Sequence, residues 1–244
     1  MAPSPVVLVL VDFDDTLVDT APRFQNARRS LFSVLSQHGI TAEMAQRIHH
    51  ERVDPLMMER HGLGPFRLEH SFRATYEESC SELALPIVAL VAEQCAALGR
   101  AVAGTPPPFD GALDALRTLC ARHPTVIYTQ AGDHDYQSRC VQEAGVAAIV
   151  GAHAVHICAR KTVAAFRATL ETFQVAHPAG VWMIGNSMRS DINPALEAGA
   201  RAILVEMRDP WEFDLVEPVS HDYVRAASFV DAVNYLLRLD ETCT

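Results

Sequence analysis

In VVLVLVDFDDTLVDT, residues Val6 to Thr20, an aliphatic run ends abruptly in Asp12, Asp14 and Asp15. Like charges repel, so such a cluster needs positive charge beside it. A carboxylate is a usable nucleophile toward phosphorus when nearby positive charge offsets its repulsion from a phosphate. A divalent cation supplies that charge, and hard oxygen donors favour Mg²⁺. Residues two apart at a strand end can point to the same side. Asp12 and Asp14 can therefore flank one reacting group, one attacking while the other handles the proton. Asp15 and Asp19 read as turn or capping residues.

Further candidates follow the other apolar runs, because ligands of open α/β sheets bind beyond the carboxyl ends of the strands. TVIYT ends in Thr129 and leads into QAGDHD, with Gln130 and Asp133, while GVWMIG leads into Asn186 and Asp191. Lys161 opens the helical stretch before that last strand. Thr129 can donate to a phosphoryl oxygen, and Lys161 can neutralise both phosphate and aspartate. At Gln130 and Asp133 two roles stand side by side, backbone amides that reach a phosphate and side chains that only shape the loop. His49-His50 and His153/His156 have no partner ligand at metal spacing and read as packing or surface residues. The six cysteines lie far apart without a CxxC pair, which suits reduced thiols. Trp182 reads as core, and Trp211 as a loop residue after the fifth strand.

The elements that must position these residues alternate. Unbroken aliphatic runs at Val6–Val11, Thr125–Thr129, Val146–Val150, Gly180–Gly185 and Arg201–Glu206 read as strands buried on both faces. Between them, Ala112–Arg122, Tyr136–Ala144, Lys161–Phe173 and Pro194–Ala198 read as amphipathic helices, so the fold class is α/β with a doubly wound, mainly parallel sheet. Residues 21–103 differ: helix-like stretches near Ala21–Gln37, Thr41–Arg60, Pro65–Leu83 and Pro86–Gly99 carry no strand pattern. GTPPPF (Gly104 to Phe109) then acts as a stiff hinge. The expected organisation is a core of residues 1–20 and 104–244 with an α-helical cap at 21–103. The cap's arginines, among them Arg23, Arg28 and Arg29, read mainly as solvated helix faces from which one or two could reach a substrate.

Bulk properties narrow the partners. The chain has 244 residues, 49% hydrophobic and 20% charged, with a net charge of −10. That sign argues against nucleic acid but not against a small phosphorylated ligand, whose pocket and metal can override it locally. No apolar run reaches the roughly 18 residues that a membrane span needs. The short N-terminal run without a basic flank does not read as a signal peptide, so a cytoplasmic protein is expected.

DFDDTL, a Thr ending the second strand, a Lys before the fourth, and IGNSMRSDINPALEAG together resemble the haloacid dehalogenase (HAD) superfamily of phosphotransferases. The resemblance implies a Rossmann-like core and a helical cap. It implies Asp12 as nucleophile forming an aspartyl-phosphate, and Asp14 as the acid that then activates water. Thr129 and Lys161 would hold the phosphoryl group, and Mg²⁺ would be bound by the Asp12 carboxylate, the Asp14 carbonyl and Asn186 or Asp191. Members that cleave carbon–halogen bonds generally lack the second aspartate, so Asp14 points to a phosphatase of a small phosphorylated metabolite. A phosphotransferase or mutase, and a phosphate-binding module without turnover, are the alternatives. One departure stands out: the fourth motif usually begins Gly-Asp, and here it is Gly185-Asn186. One negative charge is gone, and weaker Mg²⁺ binding, or Asp191 moving onto the metal, is the expected consequence.

Overall fold

The computed structural model describes residues 6–207 and 214–242; Trp211 and Cys243 lie outside them. The chain divides into two compact units. One is α/β and holds the residues up to Asp19, Pro106–Gln130 and His134 onward; the other is helical and holds Thr20–Thr105 with Ala131–Asp133.

The chain starts the sheet with β1 (Leu8–Val11) and then leaves it for α1 (Ala21–Gln37), α2 (Ala42–Ile48), α3 (Asp54–His61), α4 (Arg67–Glu82) and α5 (Ala89–Arg100). α2 and α3 are joined by a widened π turn, His49–Val53. Pro55, in the first turn of α3, has no N–H to give the carbonyl four residues back, which favours such a turn. The unit has its own core, with Leu31, Leu35, Ile40, Leu68, Phe72, Val91 and Cys95 fully or nearly fully buried. α4 and α5 meet backbone to backbone at Gly99, where a Cβ would stand 2.4 Å from the Leu68 carbonyl. Gly132, in the loop after the second strand, belongs to this unit through its N–H, which donates to the Leu63 carbonyl at 2.7 Å.

The chain then builds the α/β unit with α6 (Ala112–Cys120), β2 (Thr125–Gln130), α7 (His134–Glu143), α8 (Val146–Val150), β3 (Val155–Cys158) and α9 (Val163–Thr172). It finishes with β4 (Val181–Gly185), α10 (Asn193–Glu197), β5 (Arg201–Val205), β6 (Val224–Ala226) and α11 (Phe229–Thr242). The sheet has six strands in the order β3-β2-β1-β4-β5-β6, with every pairing parallel. Alternation along the strands feeds two cores. Val9, Val11, Ile127 and Ile184 face one layer, and Leu8, Leu10, Val126 and Met183 face the other. The strand order reverses between β1 and β4, which places the ligand crevice of such sheets at their carboxyl ends.

One expected strand is a helix. Val146–Val150 forms α8, and the third strand is Val155–Cys158. Ala147 and Ala148 favour helix, and Val146 and Val150 share one face at four-residue spacing. The true third strand is a half-buried edge in which His156 interrupts the apolar pattern, so it lacks the continuous apolar character of a central parallel strand. β6 and α11 extend the unit beyond the elements expected from sequence.

Candidate active site

Asp12 is the first residue past β1. Its backbone N–H donates to the Ile184 carbonyl at 2.9 Å, fixing it beside the end of β4. Its side chain is only 8% exposed. Oδ1 accepts from the Lys161 ammonium, and Oδ2 accepts from the Thr16 hydroxyl at 3.1 Å. Lys161 Nζ also donates to Asp191 Oδ1 at 2.6 Å. One buried cation is thus shared between two buried carboxylates that arrive from different segments. Burial opposes the charge on Lys161, yet Asp12 and Asp191 outweigh it and hold the amine above its ordinary range. Burial, reinforced by the charge of Asp12, raises Asp191, while Lys161 pulls it the other way.

The turn after β4 is built to bring Asp191 in. Asp191 Oδ2 accepts from the Ser187 N–H at 3.0 Å, and the Ser187 hydroxyl caps the π turn Met188–Ile192 by accepting from Ser190 N at 3.0 Å. A Cβ at position 185 would stand 2.3 Å from Asp191 Oδ2, so only glycine lets the carboxylate lie against the strand end. Both oxygens of Asp191 are engaged, one by the lysine and one by the backbone; the residue anchors Lys161.

Asp14 follows two residues after Asp12, and Asp15, with φ 59°, turns the chain back so that its N–H donates to the Val18 carbonyl at 2.8 Å. Asp14 Oδ2 accepts from Gln137 Nε2 at 2.6 Å, and the same amide donates to Thr129 Oγ1 at 2.9 Å. The structure therefore brings Asp12, Lys161 and Asp191 into one charged network and ties Asp14 to Thr129. The Gln130 side chain takes the loop-shaping role: its oxygen accepts from the Lys161 N–H at 3.0 Å and its nitrogen reaches Ser190 Oγ at 3.4 Å. It holds the lysine segment. Asp133 belongs to the helical unit.

Sequence reasoning missed three of these residues. Gln137 lies one turn into α7, where a polar residue reads as a helix face. Thr16 sits inside the first motif. Asp214 accepts from the Ser187 hydroxyl at 2.6 Å; burial and the charge of Asp12 lift its carboxyl above the ordinary range. It lies nine residues past the end of β5, too far along the following loop for its place beside the strand ends to be read from sequence.

Among the described residues, no three His, Cys, Asp or Glu side chains converge to hold a metal. Mixed oxygen donors do converge. One end of the Asn186 carboxamide lies 3.1 Å from Asp12 Oδ2 and 3.2 Å from the Asp14 carbonyl oxygen. With its oxygen at that end, three acceptors face one another at about the 3 Å spacing of adjacent ligands around Mg²⁺. The donor set thus fits a small hard cation, but with a single full negative charge among the three.

Residues 6–199 match the family described as haloacid dehalogenase-like hydrolase. No curated protein matches. Among solved structures, a haloacid dehalogenase-like family hydrolase from Xanthomonas campestris is similar with a TM-score of 0.79 at 21% identity, over 98% of this chain and 93% of that one. A HAD-hydrolase from Bacillus subtilis bound to magnesium gives 0.59 at 16% identity, over 96% and 99%. An L-2-haloacid dehalogenase from Xanthobacter autotrophicus with chloropropionic acid covalently bound gives 0.57 at 14%, over 96% and 98%. At these identities the likeness is one of fold.

Proposed function

The chain belongs to the haloacid dehalogenase-like hydrolases, and from that premise we propose that it is a cytoplasmic phosphomonoester hydrolase acting on a small phosphorylated metabolite. One observation carries this reading: a second carboxylate, Asp14, two residues past Asp12, is fixed by Gln137 at 2.6 Å, whose amide also reaches Thr129 at 2.9 Å. Displacing an alkoxide from phosphorus creates a strong base that needs a proton. Displacing a halide from carbon does not. A carboxyl group positioned to give up a proton serves the departure of an alkoxide and has no part in the departure of a halide.

In the proposed sequence Asp12 attacks phosphorus and the bond to the alkoxy oxygen breaks, with Asp14 giving that oxygen its proton. Asp14, now a carboxylate, takes a proton from water as the water's oxygen attacks phosphorus. The bond from phosphorus to Asp12 then breaks, releasing phosphate and restoring both carboxyl groups. Lys161, paired with Asp12, offsets the repulsion between that carboxylate and the incoming phosphate. When bound, Mg²⁺ would be held by Asp12, the Asp14 carbonyl and Asn186, and would supply charge neutralisation at the phosphoryl oxygens.

The test is hydrolysis of p-nitrophenyl phosphate with MgCl₂ by the wild type and by Asp12→Asn. Turnover should fall by at least about 10³-fold in the variant, and equal rates would remove the proposal. Asn186, which leaves the site short of one negative charge, favours a second reading, hydrolysis of a carbon–halogen bond. A single-turnover burst of chloride from L-2-chloropropionate, insensitive to Asp14→Asn, would select it.

A further inference from the structure

The Asn186 carboxamide can face the Asp12–Asp14 corner with either end, and each end has a different partner. With oxygen inward, its nitrogen donates to the Met207 thioether at 3.0 Å. Three acceptors then point at one spot, and the single hydroxyl proton of Thr16, within 3.3 Å of the amide oxygen, is also required by Asp12 Oδ2. That arrangement leaves oxygens facing each other unless a cation lies among them. With nitrogen inward, the same position donates to Asp12 Oδ2 at 3.1 Å and to the Asp14 carbonyl at 3.2 Å, with Thr16 Oγ1 at 3.3 Å. The amide hydrogens then bridge the two oxygens that a cation would bridge.

We infer that Asn186 is the internal stand-in for the site's cation: its amide nitrogen joins Asp12 to the Asp14 carbonyl when the cation is absent, and the carboxamide turns over, nitrogen to Met207, when it is present. The inference rests on the proposed Mg²⁺ site but not on turnover. An aspartate at 186 has the same shape and no donor. Without a cation it would set a second carboxylate about 3 Å from Asp12, in a corner whose other positive charge, Lys161, is already shared with Asp191. The Asn version of the motif gives up cation affinity and gains a site that keeps its geometry when empty.

The experiment compares the wild type with Asn186→Asp by thermal melting in EDTA and in MgCl₂. The wild type should melt within about 2 °C in the two buffers. Asn186→Asp should melt several degrees below the wild type in EDTA and recover most of the difference in MgCl₂. Should the variant not fold in EDTA, wild type labelled with ¹⁵N-asparagine serves instead: one side-chain NH₂ pair, assigned by its loss in Asn186→Asp refolded in MgCl₂, should shift on MgCl₂ titration. Equal melting of the two proteins in EDTA, or an NH₂ pair that stays in place while calorimetry shows Mg²⁺ binding, overturns the inference. Hydrolysis of p-nitrophenyl phosphate is measured on the same samples. The melting pattern without hydrolysis sinks the proposed activity alone, and hydrolysis without the melting pattern sinks the stand-in alone.

Discussion

Gln137 and Lys161 act on the two carboxylates in opposite ways. Gln137 is a neutral positioning group, 5% exposed, whose one nitrogen reaches both Asp14 and Thr129. Gln137→Leu should lower kcat by about 10- to 100-fold with little change in KM, since Asp14 serves the bond-breaking steps rather than binding. Gln137→Asn, shorter by one methylene, should recover part of the loss only if the contact itself matters. Equal kcat in Gln137→Leu and wild type would remove the role. Lys161 carries a charge: Lys161→Met leaves Asp12 and Asp191 buried without their shared cation and should cost about 3–5 kcal/mol of stability, read by urea unfolding at pH 7. A loss under about 1 kcal/mol would mean that the two carboxylates are not both charged there. The strand-end rule found Asp12, Asp14, Thr129, Lys161, Asn186 and Asp191 because each is the terminus of, or lies next to, a regular element. It could not find Gln137, since the sequence does not say which face of α7 looks toward the sheet.

At the scale of elements, the turn after β4 decides whether the charged network forms. Gly185 ends the strand, Ser187 caps the π turn, and Asp191 folds back onto the glycine. A methyl group at 185 must push Asp191 away from both the strand and Lys161. Gly185→Ala should therefore cut activity more steeply than it cuts stability, with turnover down by at least about 100-fold and the fold retained by circular dichroism. A fully active Gly185→Ala would show that Asp191 does not hold the lysine in place. Pro194 follows this π turn as Pro55 follows the one at His49–Val53. In each case a missing backbone donor one turn downstream accompanies the widened turn, a coupling that helix periodicity does not reveal. The central strands were legible from their continuous aliphatic runs because both faces are buried. The edge strand β3 was not: half exposed, it carries His156 between its apolar residues, while Val146–Val150, with its two alanines, imitates a strand and forms a helix.

At the scale of the whole molecule, the two units have separate cores and need not respond alike to pH. The helical unit buries His49 completely. Thr75 Oγ1 gives its proton to the Ser71 carbonyl at 2.7 Å, so its contact with His49 Nδ1 at 3.0 Å requires the imidazole to be the donor. That leaves Nε2 a bare acceptor, buried and without a hydrogen-bond partner among the described residues. Protonating it would put a charge and an unmatched N–H into the core. Burial accordingly lowers the His49 pKa to about 3, with Arg28, His50 and Arg67 adding to the effect and Asp54 opposing it. In the unfolded chain this imidazole protonates near its ordinary value of about 6.5. Between those two values the unfolded state binds the extra proton, so stability is complete above the upper one and falls as pH drops, by up to about 1.4 kcal/mol per pH unit. Asp54, held below the carboxylate range because Arg67 outweighs the burial that would raise it, begins to lose its contribution only as pH falls through the ordinary carboxylate value, below the pH 5 to 7 interval. Hydrogen exchange at pH 7 and pH 5 should therefore show protection falling in α2–α4, by about 2 kcal/mol in opening free energy. His49→Phe should be less stable at pH 7 yet nearly flat across this window. If its slope matched that of the wild type, the acid sensitivity would come from other groups, and the buried imidazole would have no part in it.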